Sequence, residues 1–291
     1  MNRKCRGTIG NAGNIKLNFG CGVRYVLSDW ENIDFMPAGK EVKRVNLLCR
    51  LPYSNESFVV AYSSHVLEHF TRKQAVGVLQ EIYRVLKPGG IIRIVVPDLE
   101  DICREYLRIL SEQDGTAEKY DCLNWMVIEM IDQMTRDTRW GDMGAFIQQA
   151  RQPNAPKEVK RYVSARWPGV LSWNVDGYTP CEPLLRRAWR VLSVDKISAF
   201  LLSKYLRCVR SLVPCSVRPM VWTDSALGDR HKWMYDFHQL NSLLTEVGFI
   251  NCKRMTFNRS MISGFNEDCL DCNADGTSYK GGSLYIEGVK P

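Results

Sequence analysis

The sequence has no run of about 18 uncharged apolar residues, the length a helix needs to cross a bilayer, so no membrane-spanning helix is expected. Its first residues, Met1-Asn2-Arg3-Lys4-Cys5, lead into Gly, Thr and Asn rather than an apolar stretch, and no secretory leader is expected. Cys269-Leu270-Asp271-Cys272 is the one C-x-x-C; without a second pair at zinc-finger spacing, no metal site is expected. Asp271 to Gly276 imitates the opening of a calcium loop, but the twelfth position is Gly282 where a bidentate Glu is needed, so that reading is rejected. Internal repeats and low-complexity tracts are also missing, which excludes a solenoid. Histidine is scarce, with four in the chain, so imidazole chemistry has few candidates.

What remains is an ordinary globular composition, 45% hydrophobic and 24% charged, over 291 residues, enough for one elaborated domain or two small ones. The eleven cysteines are odd in number and scattered, which favours free thiols in a reducing cytoplasm. The net charge of +7 is concentrated in one segment. Residues 151–230 hold 14 Lys and Arg against 6 Asp and Glu, and the rest of the chain is nearly neutral. Six of the eight tryptophans (Trp125, Trp140, Trp167, Trp173, Trp189 and Trp222) lie between residues 114 and 230. This stretch looks like an insertion into something else.

Short apolar runs at 15–19, 31–35, 42–48, 58–62 and 91–96 predict strands. Ala75, Leu79, Ile82 and Leu86 recur at helical spacing after Thr71, a capping residue, until Lys87-Pro88-Gly89-Gly90 stops the helix. A second helix is predicted over Asp98–Gln113, a third along Leu240, Leu243, Leu244 and Val247 up to Gly248, and two more strands over 250–257 and 283–289. Short buried strands alternating with helices imply an α/β, Rossmann-like parallel sheet. The expected organisation is a core made of 1–113 and 231–291, interrupted after the fifth strand by a mainly helical insertion, 114–230.

Ligands of such sheets bind beyond the carboxyl ends of the strands. Gly20-Cys21-Gly22 follows the first strand, and Asp34 ends the second, placed to accept hydrogen bonds from a ribose diol. A dinucleotide fingerprint would need a third glycine and a helix N-terminus for the pyrophosphate, but Val23-Arg24-Tyr25 follows Gly22 and nine residues separate Gly22 from Asn32. A cofactor with a ribose and no phosphate fits better.

These motifs, in this order, resemble the class I S-adenosylmethionine-dependent methyltransferases. Leu17-Asn18-Phe19-Gly20-Cys21-Gly22 is similar to their first glycine motif, with Asn18 where an acid is usual. Asn32-Ile33-Asp34 is similar to the strand-end acid that holds the ribose, with Phe35 next to it, and Asn46-Leu47 to the pair that reads the adenine edge, with Asn46 in place of the commoner Asp. Ser63-Ser64-His65 lies where the family places the methionine moiety, and Leu86-Lys87-Pro88-Gly89-Gly90 is similar to its turn into strand five. A narrower likeness, carried by Val96-Pro97-Asp98-Leu99-Glu100, by His231-Lys232-Trp233-Met234-Tyr235-Asp236 and by Ser283-Leu284-Tyr285-Ile286-Glu287, is to predicted methyltransferases found among polysaccharide-biosynthesis enzymes.

The resemblance implies S-adenosylmethionine as cofactor, held by Asn18, Gly20, Cys21, Gly22, Asp34, Phe35, Asn46, Leu47, Ser63 and Ser64, and O-methylation of a saccharide or saccharide conjugate. A sugar hydroxyl must lose a proton, so a general base is sought; the candidates are His65, after strand four, and His231 with Tyr235, where the chain returns to the core. Each has a structural alternative, as an anchor or a cofactor-positioning group, and His69 reads as a packing histidine. Trp167, Trp173 and Tyr178 could stack on an acceptor, although tryptophans more often fill a core. Leu184–Val213 has an apolar face ringed by Arg and Lys, the pattern of a peripheral helix on an anionic membrane, with packing inside the insertion or in a homodimer as the commoner reading.

Other functions stay open at this point. One is methylation of an amine or phenol in a small natural product. Another is a nucleic-acid methyltransferase, disfavoured because Ser63-Ser64-His65-Val66 stands where base N-methylating enzymes carry Asn/Asp-Pro-Pro-aromatic. The last is an inactive cofactor-binding partner of a biosynthetic complex, suggested by Asn18 and Asn46.

Overall fold

A computed structural model describes residues 15–112, 115, 117–138, 140–172, 230–273 and 275–291, with the isolated positions 205, 208, 209, 212 and 213. Seven strands form one sheet: β1 (Lys16–Phe19), β2 (Trp30–Asp34), β3 (Val42–Arg44), β4 (Phe58–Ser64), β5 (Leu86–Pro97), β6 (Ile250–Met255) and β7 (Ser283–Val289). Their order is β3-β2-β1-β4-β5-β7-β6. The first five run parallel, and β7 is antiparallel to both β5 and β6. This mixed sheet, parallel apart from β7, is the expected Rossmann-like α/β arrangement. β3 is shorter than its apolar run predicts, and β5 begins at Leu86, so that Lys87-Pro88-Gly89-Gly90 belongs to the strand.

Helix α1 (Arg72–Val85) crosses from β4 to β5. Its start is a capping box: Thr71 Oγ1 accepts from the Gln74 N–H at 3.3 Å, and Gln74 Oε1 accepts from the Thr71 N–H at 3.0 Å. Thr71→Ala removes an acceptor for an otherwise orphaned helical N–H and is expected to cost about 1 kcal/mol in urea unfolding, with no effect on the binding cleft.

Along β4, β5 and β7 the side chains alternate between two cores. Ala61, Ile92, Ile94, Val96, Leu284 and Ile286 meet Leu79 and Ile82 of α1, together with Leu240 and Leu244 of the helix Phe237–Val247 that precedes β6. Val60, Tyr62, Val95 and Tyr285 face the other way. No helix links β1 to β2, in keeping with the nine-residue gap, yet a largely parallel sheet needs cover on both faces. That cover is the segment between β6 and β7. Ile262, Phe265 and Leu270 pack on Trp30, Tyr62 and Tyr285, where a crossover helix would otherwise lie. The segment between β6 and β7 is therefore part of the core.

Beyond β5, α2 (Leu99–Ser111), α3 (Ala117–Val127), a π-helical turn (Ile128–Asp132), α4 (Gln133–Thr135), α5 (Gly141–Arg151) and α6 (Lys157–Arg166) enclose a third core. It joins Ile102 and Ile109 of α2 to Trp125, Phe146, Ile147, Val163 and Trp167. Packing thus draws α2 to the helices that follow it. No helix among the described residues is long and apolar enough to cross a membrane. Trp173, Tyr178 and nearly all of Leu184–Val213 lie outside the described residues.

Candidate active site

At the carboxyl ends of β1, β2 and β4, a cleft of about 1000 Å³ is lined by Gly20, Gly22, Asp34, Phe35, Asn46, Leu47, His65 and His231, among others. Eight of the thirteen residues predicted from sequence therefore meet in one place.

The chain turns sharply after β1. Gly20 has φ +66°, and a Cβ there would lie 2.4 Å from Val66 Cγ2. Both terms oppose any side chain, so Gly20→Ala is expected to destabilise the fold by more than about 1 kcal/mol and to disturb the cleft. Thermal melts and cofactor titration of the variant check this. Gly22, at φ +53°, differs: a Cβ there would meet no protein atom within 4 Å. The Gly22 N–H donates to Asp34 Oδ2 at 2.9 Å, and the Met36 N–H donates to Oδ1 at 2.7 Å. These bonds fix the carboxylate at the cleft and leave each oxygen further acceptor capacity for a diol. Phe35, Met36 and Leu48 stay largely exposed at the rim, apolar surface suited to a purine ring. Asn46 Oδ1 accepts from the Leu48 N–H at 3.0 Å, which shapes the loop after β3.

Five predicted residues do not line the cleft. Asn18 is buried and its amide is committed, donating to Asn32 Oδ1 at 3.0 Å and to the Arg24 carbonyl at 3.2 Å. Cys21 is buried, and burial with the nearby Asp34 charge pushes its thiol up to about 12, so it is a packing group. Ser63 is buried in the sheet, and Ser64 lies on the Tyr62 side of β4, with neither at the cleft surface. Tyr235 is buried against the α1-side core, its backbone bridging Asp98, and burial raises its phenol to about 12. It is the anchor of the returning chain.

The opposite end of the cleft is polar. His65 follows β4 with φ +54°, an uncommon backbone for a side chain, and its N–H donates to the Val95 carbonyl at 2.8 Å. The imidazole Nε2 is hydrogen-bonded to Ser283 Oγ at 3.0 Å, and Nδ1 stands 3.4 Å from Glu68 Oε1. Burial, followed by the Lys280, His231 and His69 charges, holds His65 well below the ordinary histidine range. His231, pinned by its N–H to the Gln133 carbonyl at 2.8 Å, is lowered in the same way by burial and then by His69. Both shifts favour the neutral imidazole. Burial also raises the Glu68 carboxyl and draws the Lys280 ammonium down to about 8.

Two members of this end escaped the sequence reading. Glu68 is fully buried and His69 lines the cleft, although His69 reads as a packing residue. The signal that could have found Glu68 is a charged residue one turn beyond a strand end, placed between two histidines, His65 and His69. Trp167 is buried in the helical core with its ring 6.3 Å from that of His65, so it backs the histidine and offers no exposed stacking face.

Comparisons with known proteins bear on residues 17–94, which match the family model described as a methyltransferase domain. Residues 17–94 thus match a methyltransferase domain. No curated protein matches the chain. Among solved structures, it is similar to the [4+2]-cyclase SpnF at 23% identity, over 29% of this chain and 39% of that one, with a TM-score of 0.24. It is also similar to a chain in the complex of the Haloferax volcanii Trm112 methyltransferase activator with a methyltransferase, at 10% identity over 96% and 83% of the two chains, TM-score 0.37. A third is the Haemonchus contortus phosphoethanolamine N-methyltransferase 2 in complex with S-adenosyl-L-methionine, at 10% identity over 97% and 50%, TM-score 0.37. The chain spans less than two thirds of the cyclase and of the N-methyltransferase.

The cleft has the features that S-adenosylmethionine, the cofactor expected from the sequence, requires. Asp34 is positioned for ribose hydroxyls, Phe35, Met36 and Leu48 for the adenine faces, and the open space at Gly22 for close backbone approach.

Proposed function

We propose that this protein is an O-methyltransferase whose acceptor is a hydroxyl of a saccharide or saccharide conjugate. The observation that carries the reading is the polarity of the cleft. One end suits a nucleoside, while the other, lined by His65, His69, Arg230, His231 and Lys232, suits a hydroxylated and anionic acceptor.

When bound, the cofactor supplies an electrophilic methyl group on a sulfonium. The chain's residues must align an acceptor oxygen with it, exclude water and take up the hydroxyl proton as the new O–C bond forms and the S–C bond breaks. Alignment is the larger task, since well-oriented groups reach effective molarities of about 10⁵ to 10⁸ M. His65 is assigned the proton: its ring lines the cleft, and Nε2, hydrogen-bonded to Ser283 Oγ, exchanges that partner for the acceptor hydroxyl and accepts its proton. Such a base contributes about 10² to 10⁴-fold to the rate.

The basic, Trp-rich segment 114–230 is assigned to the acceptor side as a lid on the core formed by 1–113 and 231–291. Its charge suits a phosphate-bearing or lipid-linked saccharide at an anionic membrane.

The test is transfer of a labelled methyl group from S-adenosylmethionine into host extracts fractionated into glycans, lipids, small molecules and nucleic acids. Label in glycans or glycolipids supports the reading. Label confined to nucleic acids or to aromatic amines overturns the acceptor assignment, and failure to bind S-adenosylmethionine by calorimetry overturns the activity.

A further inference from the structure

At the end of β4 the chain makes a single 3₁₀ turn, Leu67–His69, that places Glu68 and His69 side by side, and the chain returning from residue 230 lays His231 against them. One ligand atom from each of the three side chains lies within 4.8 Å of the other two. Glu68 is completely buried, and neither carboxylate oxygen accepts a hydrogen bond from another side chain. Among the described residues, no Lys or Arg nitrogen stands within ion-pair distance of it; its neighbours are the imidazoles of His65 at 3.4 Å and His231 at 4.0 Å. A buried carboxylate without a contacting ion-pair partner costs several kcal/mol in order of magnitude, which Lys280, beyond ion-pair distance, offsets only in part.

His69 is set up as a lone-pair donor. His69 Nδ1 is hydrogen-bonded to the Arg230 carbonyl at 3.0 Å; a carbonyl can only accept, so Nδ1 carries the proton and Nε2 is left bare. A backbone carbonyl behind one ring nitrogen is the usual support of a metal-binding histidine. The His69 and His231 rings are edge to face with centroids 4.9 Å apart, and His231 Nδ1 is buried without a hydrogen bond.

We propose that Glu68, His69 and His231 bind a divalent first-row transition-metal ion, of the zinc class, at the acceptor end of the cleft. Two imidazoles and one carboxylate fill three coordination positions, the protein ligand set of a catalytic zinc site, and leave the remainder open to an exogenous oxygen. His69 and His231 both line the cleft, so the open positions face it. The site deepens the proposed O-methyltransferase reading and rests on it for its use: the ion takes the acceptor hydroxyl as a ligand and makes its oxygen easier to deprotonate. The binding itself does not depend on that reading.

The test uses the full chain, stripped with a chelator and titrated with cobalt(II), whose visible d–d absorption reports coordination. The expected result is one cobalt per chain, with the affinity reduced about 10²-fold or more in Glu68→Gln and in His69→Ala, beyond the loss typical of a mere supporting residue. Circular dichroism and S-adenosylmethionine calorimetry are run on the same samples, so that a misfolded variant is recognised; should Glu68→Gln misfold, His69→Ala decides. Visible bands absent from the parent protein, or unchanged in both folded variants, overturn the metal site. Intense near-ultraviolet thiolate bands retained in the variants assign the ion to cysteine and also overturn it. Cobalt binding without S-adenosylmethionine binding overturns the methyltransferase reading and leaves the metal site standing.

Discussion

Asp34→Ala is expected to weaken S-adenosylmethionine binding by about 10²-fold, close to 3 kcal/mol, measured by calorimetry. A hydrogen bond to a charged group is worth about 1.5–3 kcal/mol, and a ribose diol offers two donors to the carboxylate. The substitution also removes the acceptor for the Gly22 and Met36 N–H groups, so the loops after β1 and β2 lose the bonds that hold them at the cleft. Asp34→Asn keeps one acceptor oxygen and should fall between parent and alanine variant. Because Asp34 lies at the cleft rather than in a core, both variants should fold. Unchanged affinity in a folded Asp34→Ala protein would place the cofactor elsewhere.

The part of the cleft beyond the ends of β1, β2 and β3 was legible in the sequence because it is built from short-range rules. A strand, a glycine turn and a strand-end acid appear in order along the chain, and Gly20, Gly22, Asp34 and Asn46 are brought together by the strand order β3-β2-β1-β4. Residues on the strands themselves were harder to place. Asn18, Ser63 and Ser64 differ by one or two positions from cleft residues, and a strand turns successive side chains to opposite faces. The acceptor end was less legible still, since it depends on a contact between the turn after β4 and a segment beyond the insertion. Spacing along the chain could not pair Glu68 and His69 with His231. Nor did spacing reveal what replaces the missing crossover helix. The segment between β6 and β7 reads as polar because of Asn273, Asp275 and Thr277, while its anchors Ile262, Phe265 and Leu270 are spread too widely to form a helical or strand period.

That replacement makes Arg93 a residue whose loss should cost much stability. Arg93 of β5 is completely buried on the face that the β6–β7 segment covers. Its Nε donates to Asp271 Oδ2 at 2.7 Å, one terminal nitrogen donates to Glu287 Oε1 at 2.6 Å, and the other donates to the Thr256 carbonyl at 2.8 Å. The guanidinium also lies over the Phe265 and Tyr285 rings, at 4.7 and 5.3 Å. The carboxylates are satisfied in turn: Tyr62 donates to Asp271 Oδ1 at 2.6 Å, and the Met261 N–H donates to Glu287 Oε2 at 2.6 Å. Arg93→Met removes every donor of the central cation and leaves two buried carboxylates without a positive partner. Breaking a buried pair from one side costs about 3–5 kcal/mol, and the expected loss in urea unfolding lies in that range. The effect should reach the cofactor end as well. Arg24, in the loop that carries Gly22, donates to the Cys269 and Cys272 carbonyls and stacks on Tyr279 at 3.8 Å, so a loosened β6–β7 segment slackens that loop. Replacing Arg93, Asp271 and Glu287 together by apolar residues of similar volume should recover much of the lost stability, because no charge is then stranded. If Arg93→Met lowers stability by less than about 1 kcal/mol, the buried carboxylates are paired by something other than this arginine, and the β6–β7 segment is held by its apolar anchors alone.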